Sequence, residues 1–234
     1  MKKISRLQLI TTNAAIAELA CKGGVDWVQL RLKNVSYEEY RKVALEVQAV
    51  CKKYNATFIV NDNVQLALDV QADGVHIGKE DMDATTARKL LGDNAIIGCT
   101  ANTYEDVARL CGLPVNYIGL GPFRFTATKE KLSPVLGIDG YKSIFARLEK
   151  NNVKQLPVIA IGGIILFDVP SLLSAGLHGV AVSGAIGNAS DIAGKAKEFI
   201  ETIKRPEGNM KTPPLDKALI LTDVIVTIAG KIAE

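Results

Sequence analysis

The chain of 234 residues carries 28 Lys and Arg against 25 Asp and Glu, a formal net charge of +3, with 48% hydrophobic and 23% charged residues. That is the composition of a folded globular protein long enough to bury a large core, and it excludes intrinsic disorder. Both charge signs are interspersed, so the small basic excess does not point to a nucleic-acid partner; it suits a small anionic substrate if the cations converge on one pocket.

The chain starts MKKISRLQLITTN, whose apolar run is broken by Arg6 and Gln8, so no signal-peptide core is present. No later stretch is long and apolar enough to span a bilayer, and the expectation is a cytoplasmic protein that needs no membrane. Cys21, Cys51, Cys99 and Cys111 are widely spaced and include no C-x-x-C pair. They read as free thiols in a reducing compartment rather than as disulfides or metal ligands.

Short apolar runs rich in β-formers then recur in order: Leu7–Thr12, Trp27–Leu32, Thr57–Asn61, Gly74–Ile77, Ala95–Cys99, Tyr117–Gly121, Val158–Ile161 and Gly179–Val182. Near-continuous apolar character predicts parallel strands buried on both faces. Helix-compatible segments lie between them. The clearest is Ser36–Tyr54, where Tyr40, Val43, Ala44, Val47 and Val50 trace one face and Ser36 with Glu39 forms a capping box. Eight βα units over residues 1–204 predict an α/β fold, a single (β/α)8 TIM barrel. A doubly wound sheet would need fewer strands and usually a glycine fingerprint after the first, where this chain has Asn13-Ala14-Ala15. Residues 205–234 follow as a linker and C-terminal extension, with Pro213-Pro214 stopping any continuing helix. That extension is expected to pack on its own barrel or at a homo-oligomer contact, as either a helix or a strand.

In such a barrel the chemistry sits at the C-terminal strand ends. The second strand ends Gln29-x-Arg31-x-Lys33, an alternation that puts an amide and two cations on one face. Arg offers a fork to phosphate oxygens and Lys a mobile point charge. The third ends Asn61-Asp62-Asn63 and the fourth is followed by Asp81. Two carboxylates on adjacent loops beside cations are what Mg2+ with a diphosphate requires. His76 lies mid-strand and reads as a hydrogen-bonded core histidine; His178 lies in a surface turn. Thr100 and Asn102 close the fifth strand. After the sixth, Thr126-x-Thr128-Lys129 reads as an anion clamp and lid, and glycine turns at Gly162-Gly163 and Ser183-Gly184 read as a backbone phosphate cradle. Two anion sites at one barrel mouth imply two anionic small-molecule substrates.

Taken in order, Gln-x-Arg-x-Lys, Asn-Asp, Asp-Gly-Val-His-x-Gly-x-x-Asp, Gly-x-Gly-Pro with Thr-x-Thr-Lys, Gly-Gly-Ile and Gly-Val-Ala-Val resemble the thiamine-phosphate synthase family over roughly residues 7–204. The resemblance implies a Mg2+-dependent transferase that joins 4-amino-5-hydroxymethyl-2-methylpyrimidine diphosphate to a thiazole phosphate. It implies that Gln29 contacts the aminopyrimidine, that Arg31, Lys33 and Asn61 hold the diphosphate, and that Asp62 and Asp81 ligate Mg2+. Thr100 stands for a serine that reaches the pyrimidine and diphosphate. Lys129 would meet the departing diphosphate, while Thr126, Thr128, Gly163, Ser183 and Gly184 would hold the thiazole phosphate. Three positions depart from the family pattern. Lys79 replaces a glutamine and is expected to add a cation near the metal site; Asn102 replaces a histidine; and the Val-Ser of the eighth strand is shifted to Ser183-Gly184. The alternatives are a thiazole tautomerase, against which Asn102 and the Thr-x-Thr-Lys clamp speak, and a non-catalytic thiamine-precursor-binding barrel, against which the retained aspartates speak.

Overall fold

Eight parallel strands pair in chain order and the eighth returns to the first, closing a barrel. The computed structural model describes residues 3–125 and 134–205. The strands are β1 (Leu7–Thr11), β2 (Trp27–Leu30), β3 (Thr57–Asn61), β4 (Gly74–Ile77), β5 (Ile96–Ala101), β6 (Tyr117–Leu120), β7 (Val158–Ile161) and β8 (Gly179–Val182). Around them lie α1 (Ala14–Lys22), α2 (Tyr37–Lys53), α3 (Val64–Asp69), α4 (Ala84–Leu91), α5 (Tyr104–Leu110), α6 (Gly137–Lys150), α7 (Val169–Ser174), α8 (Gly184–Gly187) and α9 (Ile192–Lys204). This is the expected (β/α)8 barrel. The C-terminal extension beyond residue 205 lies outside the described residues.

Helix starts follow local capping chemistry. Ser36 accepts from Glu39 N–H, Asn13 from Ile16 N–H, and Asn63 from Leu66 N–H. Each satisfies one of the amide donors a first turn leaves unpaired. Thr103 and Asp106 form a reciprocal capping box on α5. In α2 the residues buried most deeply are Tyr40, Ala44, Val47, Gln48 and Cys51, while Val43 and Val50 pack at the margin of the same core.

Strand alternation divides the interior in two. Val28, Leu30, Phe58, Val60, Val75, Ile77, Ile97, Ile118, Leu120, Val158, Val180 and Val182 point outward into the large core beneath the helices. The opposite faces supply Trp27, Ile59, Ile96, Tyr117, Ile159 and Ala181, which fill the barrel's centre. Four expected strand ends move, two of them by a single residue: β1 stops at Thr11 rather than Thr12 and β6 at Leu120 rather than Gly121. β2 stops at Leu30 rather than Leu32, although Arg31 N–H still donates to Thr11 carbonyl at 2.9 Å. β5 runs on through Ala101 rather than ending at Cys99, because Thr100 and Ala101 pair with Gly119 and Leu120 of β6. Thr100 is therefore held by the sheet rather than by a loop.

Glycine makes room in the centre. A Cβ on Gly98 of β5 would lie 2.1 Å from Tyr117 Cζ, inside a ring that has nowhere to go. At Gly112, by contrast, the nearest atom would be Arg109 carbonyl at 3.6 Å. Gly98→Ala is expected to destabilise the fold by about 1–3 kcal/mol or more, as overpacking does, with Gly112→Ala near neutral. Urea denaturation followed by circular dichroism checks the difference; equal midpoints would sink it.

Candidate active site

The strongest cluster sits on the loops after β2, β3 and β4. Asp62 adopts a left-handed backbone at φ 63°, a conformation Asp tolerates better than most residues. Its N–H donates to His76 carbonyl at 2.7 Å, which ties the loop to β4. Asn63 can then cap α3 while the Asp62 carboxylate forms an ion pair with Lys33. From the β4 side, Asp81 accepts from Gly78 N–H at 2.7 Å. A Cβ on Gly78 would come 2.8 Å from Asp81 Oδ2 and 4.0 Å from Asp62 Oδ1, so both carboxylates close over that glycine.

Like charges at this spacing resist joint ionisation. Partial desolvation, then the hydrogen bond and charge of Asp62, push the Asp81 carboxyl above the usual carboxylate range, while Lys33 and Gly78 N–H pull against them. Among the described residues no group of three or more His, Cys, Asp or Glu is placed to hold a metal ion unaided. The all-oxygen pair fits Mg2+ nonetheless, because this ion takes one or two carboxylates and completes its octahedron with phosphate and water.

Deeper in the mouth, Gln29 and Asn61 are buried and point inward, and Thr100 is half-buried at the end of β5. Arg31 is half-buried just past β2. His76 is buried as expected, its ring nitrogens 3.0 Å from Tyr117 hydroxyl and 3.0 Å from Thr100 Oγ1. His178 is half-buried rather than on the surface, with Nε2 3.1 Å from Ile4 carbonyl. All four cysteines are free thiols, and burial pushes Cys21 up to about 11 and Cys99 up to about 12, which removes both as thiolate nucleophiles at neutral pH.

On the far side of the rim, Gly162 and Gly163 have φ of 100° and 64°, which explains the glycine pair. Ser183 is exposed and leads directly into α8, whose first residue is Gly184; the Ser183 side chain makes no capping bond. Thr126, Thr128 and Lys129 lie outside the described residues.

Two features were not anticipated. Arg124 lies across Gly163, with its Cγ 2.4 Å from where a Cβ would be. Its guanidinium grips the buried Asp168 carboxylate through two bonds of 2.6 and 2.8 Å. An arginine between two phenylalanines just after Gly-Pro was the available signal. Lys79, expected beside the metal site, instead pairs with Asp106 at the start of α5. Asp106 also accepts from Asn102 N–H at 2.9 Å, so the first turn of α5 fixes the carboxylate that Lys79 meets. Asn102 in turn donates to Gly121 carbonyl, joining the ends of β5 and β6.

A family model for thiamine monophosphate synthase matches residues 4–186. The chain belongs to the thiamine monophosphate synthase family. It is 46% identical to the thiamine-phosphate synthase of Phocaeicola vulgatus over 184 residues, covering 79% of this chain and 88% of that one. It is 49% identical to the thiamine-phosphate synthase of Flavobacterium johnsoniae over 172 residues, covering 74% and 81%. Among solved structures, a thiamine phosphate pyrophosphorylase from Pyrococcus furiosus superposes with a TM-score of 0.74 at 28% identity, covering 86% of this chain and 97% of that one. Among the described residues no helix is long and apolar enough to cross a membrane.

A carboxyl whose folded pKa is raised binds protons more readily in the folded state. Stability of the metal-free protein therefore falls as pH rises from the ordinary carboxylate range through the raised value, and stays lower above it. Asp81→Asn removes the repelling charge and keeps an oxygen to accept from Gly78 N–H. In a chelating buffer this variant is expected to melt higher than wild type at neutral pH, with the gap closing in acid. Thermal denaturation at both pH values checks it, and a lower melting temperature at neutral pH would refute it.

Proposed function

We propose that this protein is a thiamine-phosphate synthase that condenses 4-amino-5-hydroxymethyl-2-methylpyrimidine diphosphate with thiazole phosphate, releasing diphosphate. The observation that carries this is the Lys33–Asp62–Asp81 cluster, seated one strand away from the buried amide of Gln29 and the hydroxyl of Thr100. A diphosphate needs cations and a metal; a neutral heterocycle needs a few hydrogen bonds and an apolar slot. The Lys33–Asp62–Asp81 cluster supports the first demand, and the amide of Gln29 with the hydroxyl of Thr100 supports the hydrogen bonds of the second.

Asp62 and Asp81 are the residues that would hold Mg2+, and the ion supplies charge neutralisation at the leaving group. Arg31, Lys33 and Asn61 bind and orient the diphosphate oxygens. Lys33 has Asp62 as its partner here; a diphosphate entering between them would offer that ammonium a more highly charged acceptor. Gln29 fixes the pyrimidine, and Thr100 reaches it from β5. Weakening the C–O bond toward diphosphate leaves a pyrimidinylmethyl cation that the thiazole nitrogen captures. The chain's part is electrostatic stabilisation and placement, so no nucleophile–base pair is required. Gly163, Ser183 and Gly184 at the ends of β7 and β8, with Thr126, Thr128 and Lys129, serve the second substrate and the departing anion. The reaction suits a cytoplasmic enzyme with small-molecule substrates.

The test is product formation with and without Mg2+ in wild type and Asp62→Asn. Asn is chosen because it tolerates the left-handed backbone that alanine would strain. Thiamine phosphate is expected to form only with Mg2+, and the variant to lose on the order of 100-fold or more of the rate while keeping its fold. A well-folded wild type that makes no thiamine phosphate would overturn the assignment, and thiazole isomerisation would be assayed next.

A further inference from the structure

A continuous line of buried polar groups crosses the barrel beneath the site. Gln29 Nε2 donates to Gln8 Oε1 at 3.1 Å, and Gln8 Nε2 donates to Tyr117 hydroxyl at 3.2 Å. That hydroxyl is 3.0 Å from His76 Nδ1, and His76 Nε2 is 3.0 Å from Thr100 Oγ1. Gln8, Gln29 and His76 are 1%, 1% and 5% exposed, and the Tyr117 side chain is fully buried. The line is built into the packing: Gly98 leaves space for the Tyr117 ring, and a Cβ on Gly119 would strike His76 Cε1 at 2.9 Å.

Donor counting gives this line a direction. Tyr117 hydroxyl has one proton, and Gln8 already donates into its oxygen. If His76 Nδ1 also carried a proton, three would meet at one buried oxygen and the phenolic proton would have no acceptor, an expensive arrangement without solvent. The phenol therefore donates to Nδ1. His76 is then the neutral tautomer protonated at Nε2, and that N–H donates to Thr100 Oγ1. With its oxygen occupied from below, the Thr100 hydroxyl keeps its own proton for what lies in the barrel mouth.

We infer that Gln8, Tyr117 and His76 are positioning residues that set Thr100 as a hydrogen-bond donor, directed at an acceptor atom of the pyrimidine diphosphate. The inference rests on the proposed function for its ligand but not for the direction of the chain. The reversed direction, with Thr100 donating into His76, would present a lone pair to the substrate and would select a donor instead.

The polarity is read first, without substrate, by long-range proton–nitrogen correlation spectra of 15N-labelled protein. The chain has two histidines, so a His178→Gln background leaves His76 alone in the spectrum. Nε2-protonated His76 is expected, moving toward a mixture of tautomers in Tyr117→Phe. The single tryptophan, Trp27, packs edge-on to Tyr117 with centroids 4.8 Å apart, and its fluorescence reports whether that layer is intact. In the thiamine-phosphate formation assay Tyr117→Phe is expected to lower kcat about tenfold, the cost of one misdirected hydrogen bond, with KM for the thiazole phosphate unchanged. Thr100→Ser should retain most activity. The double variant Thr100→Ala with Tyr117→Phe should be no slower than Thr100→Ala alone, since the effect passes through that hydroxyl. If Tyr117→Phe does not fold, Gln8→Met removes the donor at the other end and should shift the tautomer in the same way. A wild-type His76 protonated at Nδ1, a tautomer indifferent to these variants, or fully additive losses in the double variant would overturn the inference. The expected tautomer in a wild type that makes no thiamine phosphate would instead overturn the functional reading alone.

Discussion

Two buried faces on every strand are the constraint from which this molecule follows. In a closed parallel barrel the outward side chains meet helices and the inward ones meet each other, so neither face tolerates unpartnered polarity. Outward positions obey with an apolar set from Leu7 to Val182. Inward positions are apolar mainly in the lower layer, where Trp27, Ile59, Ile96, Tyr117, Ile159 and Ala181 fill the centre, and even there the buried Trp27 Nε1 has no hydrogen-bond partner among the described residues. One step toward the C-terminal ends, the same alternation delivers Gln29, Asn61, His76 and Thr100. The site is the barrel's upper layer, made polar where the mouth opens.

Placing polar groups there demands compensation, and the structure offers two kinds. The neutral groups compensate one another, from Gln29 through Gln8, Tyr117 and His76 to Thr100. The charged groups stand nearer solvent and are left imperfectly balanced. Asp62 and Asp81 share the space over Gly78, with Lys33 paired to Asp62. An imbalance of this sort costs stability and is relieved by a cation, which is how a binding site differs from a structural ion pair.

Most of the architecture was legible because burial on both faces leaves short, uninterrupted apolar runs that side-chain chemistry alone reveals. The placement of candidate side chains was legible where residue type and strand parity agreed, as at the buried Gln29, or where neighbouring loops repeated a carboxylate, as at Asp62 and Asp81, which meet over Gly78. Strand ends were less so. β5 continues to Ala101 because Gly119 and Leu120 are there to pair with it, a fact about another segment of the chain. The part Gln8 plays was illegible for the same reason: an amide in an apolar strand only breaks the run until Tyr117 and Gln29 are brought beside it.

Where side chains reach also decides what a departure from the family pattern does. Lys79 adds a cation close in sequence to Asp81, yet its ammonium sits on Asp106, which α5 already needs for its capping box. A charge so engaged changes the field at the Asp62–Asp81 pair far less than its position suggests, because its partner cancels most of it at a distance. Arg124 behaves alike: a cation at the base of the β6 loop, its charge spent on Asp168 and its stem laid over Gly163. Together with Asn102 on Gly121 carbonyl, these pairs bind loop to loop around the rim. The rim is thus tied together by two ion pairs and a hydrogen bond that reach from one βα connection to the next, while Asp62 and Asp81 face each other over Gly78 with Lys33 paired to Asp62.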